Sequence, residues 1–206
     1  LGQIDRTLGL IASEGLSLRY VIETHTHADH FTAARGIRQR TGVPVVMHAE
    51  GGAADIDLRV EDGHQLVLGS LRLKVLHTPG HTMESTCYLL LDENDKELAL
   101  FSGDTLFIGD VGRPDLAQKA AHLTQEELAG TLFDSLRNKI MNLPDDVIVY
   151  PAHGAGSACG KNMSKETSDT LGNQKKFNYA LRANMTRDEF IAEVTDGLLP
   201  PPAYFP

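Results

Sequence analysis

Apolar residues recur along the chain with two alternating periods. Ile4, Leu8 and Ile11 stand at helical spacing within residues 1–14 and predict an opening helix. The run Leu18-Arg19-Tyr20-Val21-Ile22-Glu23-Thr24 reads as a strand, and a short helix over 33–40 follows, stopped by Thr41-Gly42. Val43 to His48 is β-branched and extended. From Gln65 to Leu91 the pattern is that of a sheet: Leu66 and Leu68, a turn at Gly69-Ser70, alternation through Leu71, Leu73 and Val75, then Thr86 to Leu91, with Pro79-Gly80 breaking the middle. Leu98 to Phe101 is a further strand. Thr124 with Glu127 three residues on is a capping box, and the helix it opens carries Leu128, Leu132, Leu136 and Ile140 toward Leu143-Pro144. Val147 to Tyr150 is the next strand, with Tyr150 expected in the core. A Gly/Ser-rich loop containing Cys159, an amphipathic segment over 171–181, a Thr186-capped helix with Phe190 and Val194, and a proline-rich tail complete the chain.

At 206 residues and 41% hydrophobic, the chain has the length and apolar content of a single domain over 1–206. A net charge of −9 without clustered Lys and Arg excludes a nucleic-acid footprint. No run approaches the roughly 20 apolar residues of a membrane span, and no basic leader with an apolar core opens the chain. The two cysteines, Cys87 in an apolar run and Cys159 in a polar loop, do not make a disulfide framework, so a reducing, cytoplasmic compartment is the expectation.

The chemistry concentrates where strands end. Single histidines such as His48, His64, His77 and His122 read as ordinary structural residues. The segment His25-Thr26-His27-Ala28-Asp29-His30 does not, because three imidazoles and a carboxylate crowded after a strand must be desolvated without apolar return. A divalent cation reverses that balance, since imidazole nitrogen and carboxylate oxygen are donors that zinc, iron and manganese accept. His81, Asp104 and His153 each follow a later strand, and neighbouring strand ends bring such residues to one rim.

The ordered pieces HTHADH, TPGHT, SGDTLF and PAHG resemble the metallo-β-lactamase superfamily from Leu18 onward. The resemblance implies an α/β (α+β) fold, the αββα sandwich, with a metal site along one edge of two facing sheets. Members open with two or more strands before the helix that precedes the histidine cluster, so the chain is expected to lack its N-terminal strands.

Within the superfamily, the stretch Thr105 to Leu116 resembles the persulfide dioxygenase branch. That likeness implies one Fe²⁺ per chain held by His25, His81 and Asp104, with His27, Asp29, His30 and His153 orienting ligands and water. The reaction implied is oxidation of a glutathione-type persulfide by O₂ to sulfite and thiol. The runner-up, on the pattern of glyoxalase II, is a thioester hydrolase with two Zn²⁺, one held by His25, His27 and His81, the other by Asp29, His30 and His153, bridged by Asp104. A third reading is an inactive fragment or interaction module. Arg113, in its Gly-Arg-Pro-Asp loop, is expected to hold the active-site loop or the substrate's carboxylates. Lys161 is expected to favour the thiolate of Cys159, which would carry sulfane sulfur near the iron. The loop 154–161 and the tail resemble the rhodanese-fused type, so 197–206 reads as a linker toward a rhodanese domain; a homodimer is also expected.

Overall fold

The computed structural model describes residues 3–203 and Phe205. In chain order the elements are α1 (Ile4–Ser13), β1 (Val21–Ile22), α2 (Ala34–Thr41), β2 (Val45–His48), β3 (Leu58–Val60), β4 (Gln65–Leu68), β5 (Leu71–His77), β6 (Thr86–Leu91), β7 (Glu97–Gly103), β8 (Leu106–Phe107) and β9 (Asp110–Val111). There follow α3 (Gln118–Ala121), α4 (Gln125–Ser135), β10 (Ile148–Pro151), β11 (Asp169–Thr170), α5 (Leu171–Phe177) and α6 (Arg187–Thr195). A small parallel sheet runs β1-β2-β3, and a larger one runs β11-β10-β7-β6-β5-β4.

Strand β6 shows why the chain builds a layered sandwich. A continuous apolar run suits a strand covered on both faces. Cys87, Leu89 and Leu91 point to one face, where they join Leu132, Leu136 and Ile140 beside Phe190 of α6. Tyr88 points the other way, into a second core with Val46, Val60, Leu66, Leu73 and Val75 between the two sheets. Each of these fully buried side chains contributes about 1.5–3 kcal/mol. On the outer face of the small sheet, the buried Ile4 of α1 packs on Gly36 of α2, where a Cβ would lie 2.6 Å from the Ile4 methyl. The order is therefore helix, sheet, sheet, helix, the expected αββα arrangement. Among the described residues the small sheet has three strands, with β1 at its edge.

Both expected capping boxes form: Thr124 accepts from Glu127 N and Thr186 from Glu189 N, each glutamate returning the bond to the cap backbone. Gly42 ends α2 in the left-handed region at φ 72°, a conformation that costs a glycine little. The strand expected over 18–24 contracts to β1, and β3, β8, β9 and β11 were not anticipated; at two or three residues they are too short to display alternation. Tyr150 corrects an expectation. Its neighbour Val149 takes the helix-side core position, so the period of two turns Tyr150 to the other face. It is 43% exposed and stacks on Phe101 over an open groove lined also by Ile22, Leu73 and Tyr88. No described helix is long and apolar enough to cross a membrane.

Candidate metal centre

Topology brings the ligand-type residues together. β5 and β7 both run antiparallel to β6, and β10 runs parallel to β7, so all three finish at the same rim. The small sheet joins there through Thr86 N, which donates to Thr24 O. His25, His81, Asp104 and His153 thus emerge side by side from four different strands. Two glycines make the approach possible. Gly80, at φ 139°, lies so close to α4 that a Cβ would be 2.5 Å from the Leu132 backbone. At Gly112 a Cβ would lie 2.0 Å from Asp104 O and 2.8 Å from His81 Nδ1.

Asp104 is the centre of the cluster. Its Oδ2 lies 3.6 Å from His25 Nε2, 3.4 Å from His81 Nε2 and 3.4 Å from His153 Nε2. Both Asp104 oxygens and His25 Nε2 are buried without a hydrogen-bond partner, as is His27 Nε2. Such orphaned groups are costly unless something else sits among them. Two donors each about 2.1 Å from a cation and subtending a tetrahedral angle lie about 3.4 Å apart. The spacing around Asp104 is of that size, too long for hydrogen bonds and suited to a shared cation. His27 Nδ1 approaches His81 Nε2 at 2.9 Å, and the donors of His25, His27 and His81 fall within 4.8 Å of one another.

The remaining ring nitrogens are tied back to the protein. His81 Nδ1 donates to the Arg113 carbonyl at 2.9 Å, which leaves the lone pair on Nε2, facing Asp104. His25 Nδ1 pairs with Thr24 Oγ1 at 3.0 Å. Such outer partners fix the tautomer and aim the ligand nitrogen. Asp29 is differently placed: Oδ1 accepts from His30 at 3.0 Å, while Oδ2 meets Cys159 Sγ at 3.0 Å and His153 Nε2 at 3.2 Å.

Electrostatics agree with the geometry. Burial, reinforced by neighbouring His27 and His30, drives His25 down to about 3. Burial also lowers His27, and it lowers the fully enclosed His81 well below the ordinary value, with His25 and His27 adding to the effect. The imidazoles are therefore neutral and able to coordinate. Burial, with the charge of Asp29, pushes Asp104 up to about 8, so it ionises at neutral pH only if a positive charge is supplied. Burial works against ionisation of Asp29 as well, but hydrogen bonds from Cys159 and His30 and the charge of His153 hold it down at about 2. Neutral imidazoles around a carboxyl that needs a cation fit a metal.

Residues 2–153 match the metallo-beta-lactamase superfamily model. The chain belongs to that superfamily. The human mitochondrial persulfide dioxygenase ETHE1 is 38% identical over 149 residues, 72% of this chain and 54% of that protein. A hydroxyacylglutathione hydrolase of Rhodopseudomonas palustris is 36% identical over 148 residues, 71% of this chain and 52% of that one. The crystal structure of ETHE1 from Myxococcus xanthus superposes with a TM-score of 0.81 at 34% identity, covering 100% of this chain and 80% of that one. The chain spans about half the length of the curated relatives it matches.

In this superfamily member the surroundings of the site are tightly interlocked. Arg113 is buried; it pairs with Asp115 at 2.7 Å, and its guanidinium also reaches the carbonyls of Ala158 and Leu199. Its guanidinium is thus engaged by groups of the protein itself. The expected partnership of Lys161 with Cys159 is not present. Lys161 Nζ turns away to the carbonyls of Glu193 and Asp196 at the end of α6, a favourable place for a cation. Cys159 instead faces Asp29, and burial together with that carboxylate pushes its thiol up, so it is held as a thiol.

Two further residues were not singled out in the sequence. Thr24 was read only as strand, although it anchors His25. Phe205, in the segment read as linker, stands edge-on to His27 with ring centroids 4.7 Å apart, in an apolar cluster with Phe107, Leu116 and Cys159. His27 also lines a cavity of about 530 Å³, together with Thr26, Met83, Glu84, Leu116 and Ala121. Glu84 holds its wall by accepting from both N and Oγ1 of Thr26 at 3.1 Å.

Proposed function

We propose that the chain is a persulfide dioxygenase with one Fe²⁺ held by His25, His81 and Asp104. The observation that carries this reading is the grouping at Asp104: two imidazole nitrogens, each aimed by an outer partner, converge on a buried unpartnered carboxylate. Two histidines and one carboxylate leave coordination positions open on iron. The 38% identity to human persulfide dioxygenase and the 34% identity to ETHE1 of Myxococcus xanthus support it. The overall reaction is RSSH + O₂ + H₂O → RSH + H₂SO₃, in which the sulfane sulfur loses the four electrons that reduce O₂. Bound iron supplies the redox path between sulfur and oxygen. The protein's own residues do the rest. Asp29, joined to His153 and His30, is a carboxylate that stays ionised and holds those two imidazoles in place beside the reacting groups. Phe205, Phe107 and Leu116 keep one flank dry, and the cavity beside His27 has room for a thiol the size of glutathione. The test is oxygen uptake on glutathione persulfide by iron-loaded protein, lost in Asp104→Asn. Hydrolysis of S-lactoylglutathione by zinc-loaded protein, without O₂ uptake, overturns the proposal.

A second reading has its own support. His27 Nδ1 stands 2.9 Å from His81 Nε2, and Asp29, His30 and His153 form a second donor group across Asp104. That arrangement suits two zinc ions and a thioester hydrolase, as does the likeness to hydroxyacylglutathione hydrolase.

A further inference from the structure

We propose that the tail from Gly197 to Phe205 is a strap that governs access to the metal centre, with Gly197 as its hinge and the Phe205 ring as its latch. The proposal rests on a cation being held at Asp104, whichever metal it is and whichever reaction it serves. Up to Asp196 the chain is fixed. Phe190 and Val194 of α6 are buried in the helix-side core, and Lys161 Nζ donates to Glu193 O at 2.7 Å and to Asp196 O at 3.0 Å. Gly197 then turns in the left-handed region at φ 64°, with nothing within 4 Å of where a Cβ would stand. The turn therefore depends on the conformational freedom of glycine and not on packing.

Beyond the hinge the sequence builds a stiff span. Pro200, Pro201 and Pro202 have no backbone N–H to give to a sheet, and their fixed φ keeps the segment extended. Near the hinge Arg113 Nη2 donates to Leu199 O at 2.5 Å. At the far end Phe205 N donates to Pro202 O at 3.0 Å, and the ring packs on the cluster of Phe107, Leu116 and Cys159. A cavity of about 690 Å³ lies between the span and the 156–163 loop, lined by Leu199, Pro200 and Pro202 from the first and Gly156, Ser157 and Met163 from the second. A span that stands off its support in this way can lift without opening a core. The latch sits on the site itself. Phe205 meets His27 edge-on, with centroids 4.7 Å apart and planes at 89°, and His27 Nδ1 is 2.9 Å from His81 Nε2. With the ring in place His27 is covered; with the ring lifted, solutes gain a path to the donors around Asp104.

The test loads the full chain with Co²⁺ and follows its extraction by excess EDTA in a stopped-flow spectrometer. Phe205→Ala is expected to release cobalt about tenfold faster than wild type, the size of effect that one edge-on ring contact carries. Gly197→Ala strains the hinge without touching a neighbour and is expected to speed release in the same direction. Leu199→Ser, at a side chain that is 76% exposed, should release at the wild-type rate. The chain contains no tryptophan, so Phe205→Trp supplies a single indole as a reporter of the latch. Its fluorescence should be shielded from acrylamide and quenched by bound Co²⁺, and adding Gly197→Ala should remove the shielding. The acrylamide measurement is made without metal as well, so failure to bind cobalt would strike the metal centre and still leave the strap tested. A wild-type release rate in either Phe205→Ala or Gly197→Ala, an equal acceleration in Leu199→Ser, or an indole as accessible to acrylamide as free tryptophan overturns the proposal.

Discussion

Removing metal should expose a specific pH dependence of stability, governed by Asp104. In the folded, metal-free chain this carboxyl is raised to about 8 from an ordinary value of 3.8, because burial and Asp29 oppose its charge. The folded state then keeps a proton that the unfolded state has released. Its stabilising effect is complete below pH 3.8 and is lost as pH rises through 8. His25, lowered to about 3 from 6.5, acts in the opposite sense, since the unfolded state takes up a proton that the folded state refuses. The two slopes offset each other between pH 3.8 and 6.5, and above 6.5 the lowered histidines no longer contribute. Among the rim groups considered, Asp104 sets the slope from pH 6.5 to 8, and at about 1.36 kcal/mol for each pH unit its contribution to the loss is about 2 kcal/mol. Its side chain is fully enclosed, so solvent screening takes little from that figure. For a chain of this length that is a fall in melting temperature of about 4–8 °C. Thermal melts followed by circular dichroism, with chelator-treated wild type beside Asp104→Asn, measure it. Metal-loaded protein, with Asp104 ionised throughout, should lose the dependence. A wild-type profile parallel to that of Asp104→Asn over this range would refute the reasoning.

Gly112→Ala places a Cβ 2.0 Å from Asp104 O, so it should weaken metal binding roughly tenfold or more while far-ultraviolet dichroism stays native; undiminished metal content would count against the close approach. Arg113→Met leaves the buried Asp115 carboxylate unpaired and should cost about 3–5 kcal/mol in urea denaturation, with part regained in Arg113→Met/Asp115→Asn; a cost below about 1 kcal/mol would contradict a buried ion pair. Both thiols are buried and shifted up, Cys87 to about 11 by burial, so native protein at pH 8 should react with Ellman's reagent only on the timescale of unfolding. Rapid labelling of Cys159 would restore the thiolate expected from its sequence neighbour.

What the sequence revealed and what it hid divide along physical lines. Periodicity finds elements long enough to repeat: β5, β6 and α4 were legible because several side chains share a face, whereas the Leu106–Val111 hairpin and β3 have too few residues to show one. The rim was legible because a ligand-type residue follows each of four strands, and parallel strand ends must lie together. Loops obey no such rule. Lys161 is two residues from Cys159 in the chain, yet its ammonium goes to the end of α6 while the thiol meets Asp29, 130 residues away. The tail read as linker through its resemblance to the rhodanese-fused type, and in the fold a hydrogen bond from Arg113 to Leu199 and the packing of Phe205 on His27 bring it to the site. Tyr150 was misplaced because its strand is apolar on both faces, and composition does not say which face is covered.

The central claim, a single redox metal at Asp104, is tested most directly by the iron content of protein purified without oxygen, compared with His25→Gln, His81→Gln and Asp104→Asn. One iron per wild-type chain, lost in each of the three variants and retained in His27→Gln, is the predicted result. Two zinc ions per chain at the rim with no iron, both lost when His27 is replaced, would contradict it.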